Sequence, residues 1–91
     1  MPSVRIPTPL RRLTGDKDEV LVDAKNIQDL VEKLESQFPG TRERLCDENG
    51  NLRRFINLYV NNEDIRFLEG MKTELKDSDV VSIIPAIAGG S

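Results

Sequence analysis

Few side chains in this sequence have the chemistry of a catalytic or metal site. Cys46 is the only cysteine, and histidine is absent. Without histidine there is no Ser-His-Asp or Cys-His nucleophile system, no histidine-ligated metal and no ordinary proton shuttle at neutral pH. A single cysteine also cannot form an internal disulfide, a C-x-x-C pair or a cysteine zinc cluster. We therefore expect no catalytic residue and no metal site, and the lone thiol fits a reducing, cytoplasmic setting.

Cys46 lies within a loop that is rich in arginine. Arg42 and Arg44 favour the thiolate, but Asp47 and Glu48 oppose them, so a structural thiol is the expected interpretation. The loop arginines also suggest a basic patch, yet acidic residues are interspersed and only Phe55 is nearby for base stacking. The whole chain carries a formal charge of -3. Nucleic-acid binding is therefore not expected.

The C-terminal segment is the unusual part of the sequence. Residues 85–91 read Pro-Ala-Ile-Ala-Gly-Gly-Ser and contain no charge. One interpretation is a frayed terminus or a remnant of expression. The other is an arm that threads into a narrow channel of another protein, with Ala88, Gly89 and Gly90 at its tip, because glycine lacks the Cβ that would clash with channel walls.

The elements that precede this tail follow two periodicities. Alternating apolar residues predict strands at residues 4–6, 20–22 and 55–60, and the apolar run 80–84 predicts a central strand buried on both faces. Asn26 can cap a helix whose apolar stripe recurs with helical spacing as far as Phe38, so we expect a helix that ends near Gln37. The loop 41–54 is polar, with one possible helical turn around Leu45.

One helix must bury its stripe against one face of a mixed sheet, because the 91 residues contain no second helix of comparable length. The expected fold is α+β, with a domain over residues 1–84 and a flexible tail over 85–91. No segment approaches the roughly 20 apolar residues that span a bilayer. The predicted core consists of Ile27, Leu30, Val31 and Leu34 packed on Val4, Ile6, Val22, Ile56, Leu58 and Ile83.

With these elements in place, the sequence resembles the MoaD/ThiS family of ubiquitin-like sulfur carriers. The resemblance rests on Val4-Arg5-Ile6-Pro7, the helix, residues 55–61, the Asp77-Ser78-Asp79 turn and the stretch from Ile84 to Gly90. It implies a β-grasp (ubiquitin-like) fold. Within the family the chain looks most like the carrier of thiocarboxylate-dependent cysteine biosynthesis, because of Ile6-Pro7-Thr8-Pro9-Leu10, residues 57–67 and residues 84–90.

The resemblance also implies a mechanism in which the chain is a protein cosubstrate and not an enzyme. A ubiquitin-activating-like adenylating enzyme uses ATP to adenylate the carboxylate of Gly90, and sulfur then replaces AMP to give a thiocarboxylate. A cysteine synthase is the expected recipient, and no cofactor is bound by the chain itself. Ser91 follows Gly90, so the carboxylate exists only after Ser91 is removed; a metal-dependent protease is one possible agent, and an artefact of expression is the other explanation.

Alternatives remain open at this point. The chain is alternatively the small subunit of molybdopterin synthase, with that enzyme's large subunit as its partner, or a non-conjugating ubiquitin-like binding module for which the tail is dispensable. For the carrier interpretations we expect the activating enzyme to dock on the acidic and apolar surface around the last strand. The residues assigned to this surface are Asp77, Asp79, Ile84, Pro85 and Ile87.

Overall fold

The computed structural model describes residues 1–85 and contains one mixed five-stranded sheet. The strands are β1 (Ser3–Arg5), β2 (Glu19–Leu21), β3 (Ile56–Val60), β4 (Glu63–Asp64) and β5 (Val80–Pro85). Their order in the sheet is β2-β1-β5-β3-β4. β1 runs parallel to β5, whereas the β1–β2, β3–β5 and β3–β4 pairs are antiparallel. This is the expected α+β, β-grasp architecture.

The main helix, α1 (Ile27–Gln37), has the predicted bounds. The Asn26 side chain accepts a hydrogen bond from the Asp29 N–H at 2.7 Å, which satisfies one of the free donors of the first turn. Ile27, Leu30, Val31 and Leu34 are buried, as their helical spacing predicts. The short α2 (Thr41–Leu45) follows, and the carboxylate of Glu35 accepts hydrogen bonds from the Gly40 and Arg42 N–H groups at its start.

The core lies between α1 and one face of the sheet. All ten predicted core residues are buried, and Val4, Leu34 and Leu58 are fully so. The core also contains residues outside the predicted set, among them Leu45, Ile65 and Val81. None of the helices within residues 1–85 is long and apolar enough to cross a membrane.

Three features differ from expectation. A 3₁₀ segment, Thr8–Leu13, separates β1 from β2. The two-residue strand β4 and two 3₁₀ turns, Ile65–Phe67 and Gly70–Lys72, fill the stretch before β5. The prediction that β5 is buried on both faces was wrong: the strand is central, but Ile84 is 45% exposed because only one face of the sheet is covered by the helical layer.

Candidate functional site

The last described residues leave the sheet at its centre. β5 is hydrogen-bonded to β1 on one side and to β3 on the other, and the final pair of its ladder joins Pro85 to Ile56. Proline has no N–H to donate, so it suits the position where strand pairing stops. The chain therefore reaches its C-terminal segment from the strand that is held on both sides.

The face of the sheet away from α1, here called the open face, carries the alternate residues of each strand. Ile84 lies on it, directly across the ladder from Asn57, and Ser82 lies across from Tyr59. Leu21 of β2, 59% exposed, and Arg5 of β1 belong to the same face. An apolar side chain, Ile84, is thus exposed one residue before the point where the chain leaves the sheet.

Arg66 extends over this face from the turn that follows β4. Its Nη2 donates to Asp64 Oδ2 at 2.9 Å and its Nε to Asp64 Oδ1 at 3.3 Å, which is a bidentate pair. Nη2 also donates to Asn57 Oδ1. Because these hydrogen bonds favour the carboxylate, they lower the pKa of the Asp64 carboxyl below its ordinary value. The guanidinium is consequently held in one place beside Asn57 and, across the ladder, Ile84.

The acidic part of the predicted docking surface lies at the other end of β5. Asp79 serves the fold: its Oδ1 accepts from Asn61 Nδ2 at 2.8 Å and its Oδ2 from the Lys76 N–H at 2.8 Å. Asp77 is exposed and forms an ion pair of 3.3 Å with the N-terminal amine. A strand rises roughly 3.3 Å per residue, so about 17 Å separates Val80 from Pro85. The structure thus brings Ile84 and Pro85 together and sets Asp77 and Asp79 apart from them.

The other predicted site residues lie outside the described residues. These are Ile87, Ala88, Gly89, Gly90 and Ser91. Their assigned roles, as partner docking residue, threading tip, sulfur-carrying terminus and processing site, stay predictions.

Cys46 and the arginine loop have the properties of a structural region. Cys46 is 3% exposed, and burial raises the pKa of its thiol, which disfavours the reactive thiolate. Arg42 pairs with Glu32 at 3.4 Å, and Arg53 Nε donates to the Glu43 carbonyl at 2.7 Å. Within residues 1–85 no three His, Cys, Asp or Glu side chains are grouped so that they could hold a metal ion.

Sequence reasoning missed the cluster formed by Asn57, Asp64 and Arg66, as well as the exposed aromatic residue Phe67 (83% exposed). The Asp64-x-Arg66 spacing was a usable signal, since an aspartate accepts readily from the N–H two residues later, as Asp64 does from Arg66 at 2.8 Å. The contact with Asn57 carries no such signal, because it joins separate elements of the sheet.

Comparison with known proteins gives a consistent result over the whole chain. The ThiS family model matches residues 4–90. A sulfur carrier protein CysO from Mycobacterium tuberculosis is 43% identical over 90 residues, which is 97% of each chain. The crystal structure of M. tuberculosis CysO superposes with a TM-score of 0.90 at 40% identity, covering 96% of this chain and all of that one. CysO in the Amycolatopsis orientalis BexX/CysO complex gives 0.92 at 42% identity, covering 99% of this chain and 100% of that one.

Proposed function

Since the chain belongs to the ThiS family, a family of ubiquitin-like sulfur carriers, we propose that it carries sulfur as a thiocarboxylate on Gly90 and donates that sulfur in cysteine biosynthesis. The observation that carries the proposal is the 43% identity to a sulfur carrier protein CysO, which extends over 97% of both chains. In this role the chain is a substrate of its partner enzymes and not a catalyst. That role accommodates a sequence with no histidine and with a buried cysteine.

The first step requires a free carboxylate on Gly90. Ser91 occupies that carboxyl group as an amide, so its removal precedes activation; a metal-dependent protease is the proposed agent. An adenylating enzyme related to the ubiquitin-activating enzymes then binds ATP. A Gly90 carboxylate oxygen attacks the α-phosphorus, pyrophosphate leaves, and the product is a mixed anhydride of Gly90 and AMP.

Sulfur enters by substitution at the activated carbonyl carbon. When hydrosulfide is the donor, its sulfur forms the new C–S bond, the C–O bond to AMP breaks, and the remaining S–H proton is released to solvent. The resulting thiocarboxylate is anionic and nucleophilic at neutral pH. Its sulfur displaces a leaving group from the β-carbon of the amino-acid substrate that a cysteine synthase holds in a site shielded from water. Hydrolysis of the resulting thioester then releases cysteine and restores the Gly90 carboxylate. Every catalytic group in these reaction steps belongs to a partner enzyme, so the chain needs no cofactor of its own.

The geometry of β5 supports delivery of the terminus to such partners. A fully extended chain advances at most about 3.6 Å per residue, so Gly90 lies within about 18 Å of Pro85. An enzyme that acts on Gly90 must therefore approach the end of β5 where Ile84 is exposed. We propose that Ile84 and Pro85 contact these enzymes. Docking by Asp77 and Asp79 requires a partner that also extends along the strand to its opposite end.

The test uses two forms of the protein, the chain as given and a chain that ends at Gly90. Each is incubated with the adenylating enzyme of the same organism, ATP and sulfide, and its intact mass is measured. The shorter form is expected to gain the mass difference of one oxygen replaced by sulfur, and the longer form to remain unchanged until Ser91 is removed. The sulfur-loaded form, supplied with a cysteine synthase and its amino-acid substrate, should then yield cysteine. Absence of the mass change in both forms would leave the binding-module interpretation.

A further inference from the structure

We propose that Arg66, held by Asp64 and Asn57, is the docking anchor through which the adenylating enzyme recognises this carrier, and that it receives a carboxylate of that enzyme. The inference rests on the proposed function, because it names the surface that the activating partner uses. It adds a residue of the open face that lies outside the tail and outside β5.

The guanidinium is fixed in position before any partner arrives. Asp64 accepts from both Nε and Nη2, and Asn57 accepts from Nη2 on the other side. Asp64 is itself buried, with its residue 8% exposed. A free arginine loses considerable rotamer entropy when it is immobilised at an interface, and an arginine that is already held avoids most of that cost. Its contacts with a partner therefore cost less to form.

The held guanidinium still has donors to offer. Arginine carries five N–H groups, and the hydrogen bonds within residues 1–85 use those on Nε and Nη2 while Nη1 has no acceptor there. The Arg66 side chain is 64% exposed. The two N–H groups of Nη1 can therefore donate to a partner, and a carboxylate suits them because hydrogen bonds between charged groups are stronger than those between neutral ones. The partner surface is therefore expected to present an Asp or Glu side chain to Arg66, beside an apolar pocket that receives Ile84.

The location of Arg66 ties it to an enzyme that handles the terminus. Asn57, which binds the guanidinium, lies directly across the ladder from Ile84, at a side-chain separation of about 5 Å. Ile84 precedes Pro85, from which the remaining chain can extend no more than about 18 Å to Gly90. A partner that covers Ile84 while it acts on Gly90 therefore also covers Arg66. Arginine is among the residue types enriched at the positions that dominate binding energy.

The experiment is ATP–pyrophosphate exchange by the adenylating enzyme of the same organism, measured against carrier concentration with chains that end at Gly90. Arg66→Gln is expected to raise KM for the carrier at least about tenfold while kcat changes less than about twofold. Arg66→Lys keeps the charge but not the planar guanidinium that Asp64 and Asn57 hold in place, and it should raise KM by a smaller factor. Asn57→Ala, which frees one side of the guanidinium, should also raise KM. Lys33→Gln is the matched control, because it makes the same charge change at an exposed position of α1, on the other side of the sheet from the open face, and should leave KM unchanged.

The outcomes separate this inference from the proposed function. If the parent chain supports no exchange, the proposed function fails. If the parent is active and Arg66→Gln has the same KM as the parent, the docking anchor is refuted. A loss of unfolding free energy in Arg66→Gln without a change in KM would mean that Asp64 and Arg66 only close the turn after β4. An equal rise in KM for Arg66→Gln and Lys33→Gln would show that the effect is one of net charge, and would overturn the inference.

Discussion

Leu34→Ala measures how much of the fold depends on the packing of α1 against the sheet. Leu34 is fully buried in the middle of the helix's apolar stripe. The substitution removes three carbon atoms, which at about 0.8 kcal/mol each gives about 2.4 kcal/mol of lost transfer free energy. The cavity left behind brings the expected loss to about 2–5 kcal/mol. A domain of this size has roughly 5–15 kcal/mol of stability in total. At about 4–8 °C per kcal/mol, the midpoint of thermal unfolding should fall by roughly 8–40 °C.

The assay is chemical unfolding followed by circular dichroism, with Leu21→Ala as the matched control. Leu21→Ala removes the same three carbon atoms from a residue of β2 that is 59% exposed. Its unfolding free energy should therefore fall by less than about 1 kcal/mol. An unchanged slope of the unfolding free energy with denaturant would show that the surface exposed on unfolding is the same in both variants. A loss below about 1 kcal/mol for Leu34→Ala, or a loss equal to that of Leu21→Ala, would refute the placement of the helix stripe in the core.

Three further predictions concern charge and the terminus. Hydrogen bonds from Arg66 lower the pKa of Asp64, so the contribution of Asp64 to stability is complete above the unfolded pKa of about 3.9 and is lost as the pH falls through the lower pKa of the folded state. The unfolding free energies of the parent and of Asp64→Asn, measured against pH, should therefore converge on acidification. Curves that stay parallel would contradict this. Asp77→Lys, at an exposed position, should slow association with the adenylating enzyme and weaken the salt dependence of the association rate if the acidic turn docks. If Asp77→Lys associates at the parent's rate at every salt concentration, docking is restricted to the other end of β5. In the chain that ends at Gly90, Gly90→Ala should preserve the unfolding free energy but reduce ATP–pyrophosphate exchange, since a methyl group is added where the backbone must pass closely; equal exchange would contradict the threading role.

The parts of the fold that were predictable are those in which local patterns and burial agree. The stripe of α1 and the cap at Asn26 specify its bounds, because both depend on residues that are neighbours in sequence. The alternation in β3 likewise identifies its buried face. β4 was not predicted, since two residues are too few to show a period. The burial of β5 was mispredicted because apolar residues occupy both of its faces while the helical layer covers one.

The candidate site was less predictable than the fold. The role of Gly90 stays a prediction, because it comes from the resemblance and Gly90 lies outside the described residues. The predicted docking surface depends on which end of β5 each residue occupies. The sequence does not show that Asp79 accepts a hydrogen bond from Asn61, because Asn61 lies in the turn after β3, far from Asp79 in sequence. The role of Arg66 was not predicted for the same reason. Its partners, Asp64 and Asn57, come from β4 and from the start of β3, and only the folded sheet brings them together.

The central position of β5 has a consequence for biosynthesis. The strand that is synthesised last among those described inserts between β1, which is synthesised first, and β3, so Val81 completes a pairing with Val4 across nearly the whole chain. Before that insertion the two halves of the sheet share no ladder and the core stays open. Contacts of such long sequence separation form slowly. A nascent or prematurely ended chain therefore cannot assemble the open face, so the surface that exposes Ile84 exists only after β5 has been synthesised and inserted.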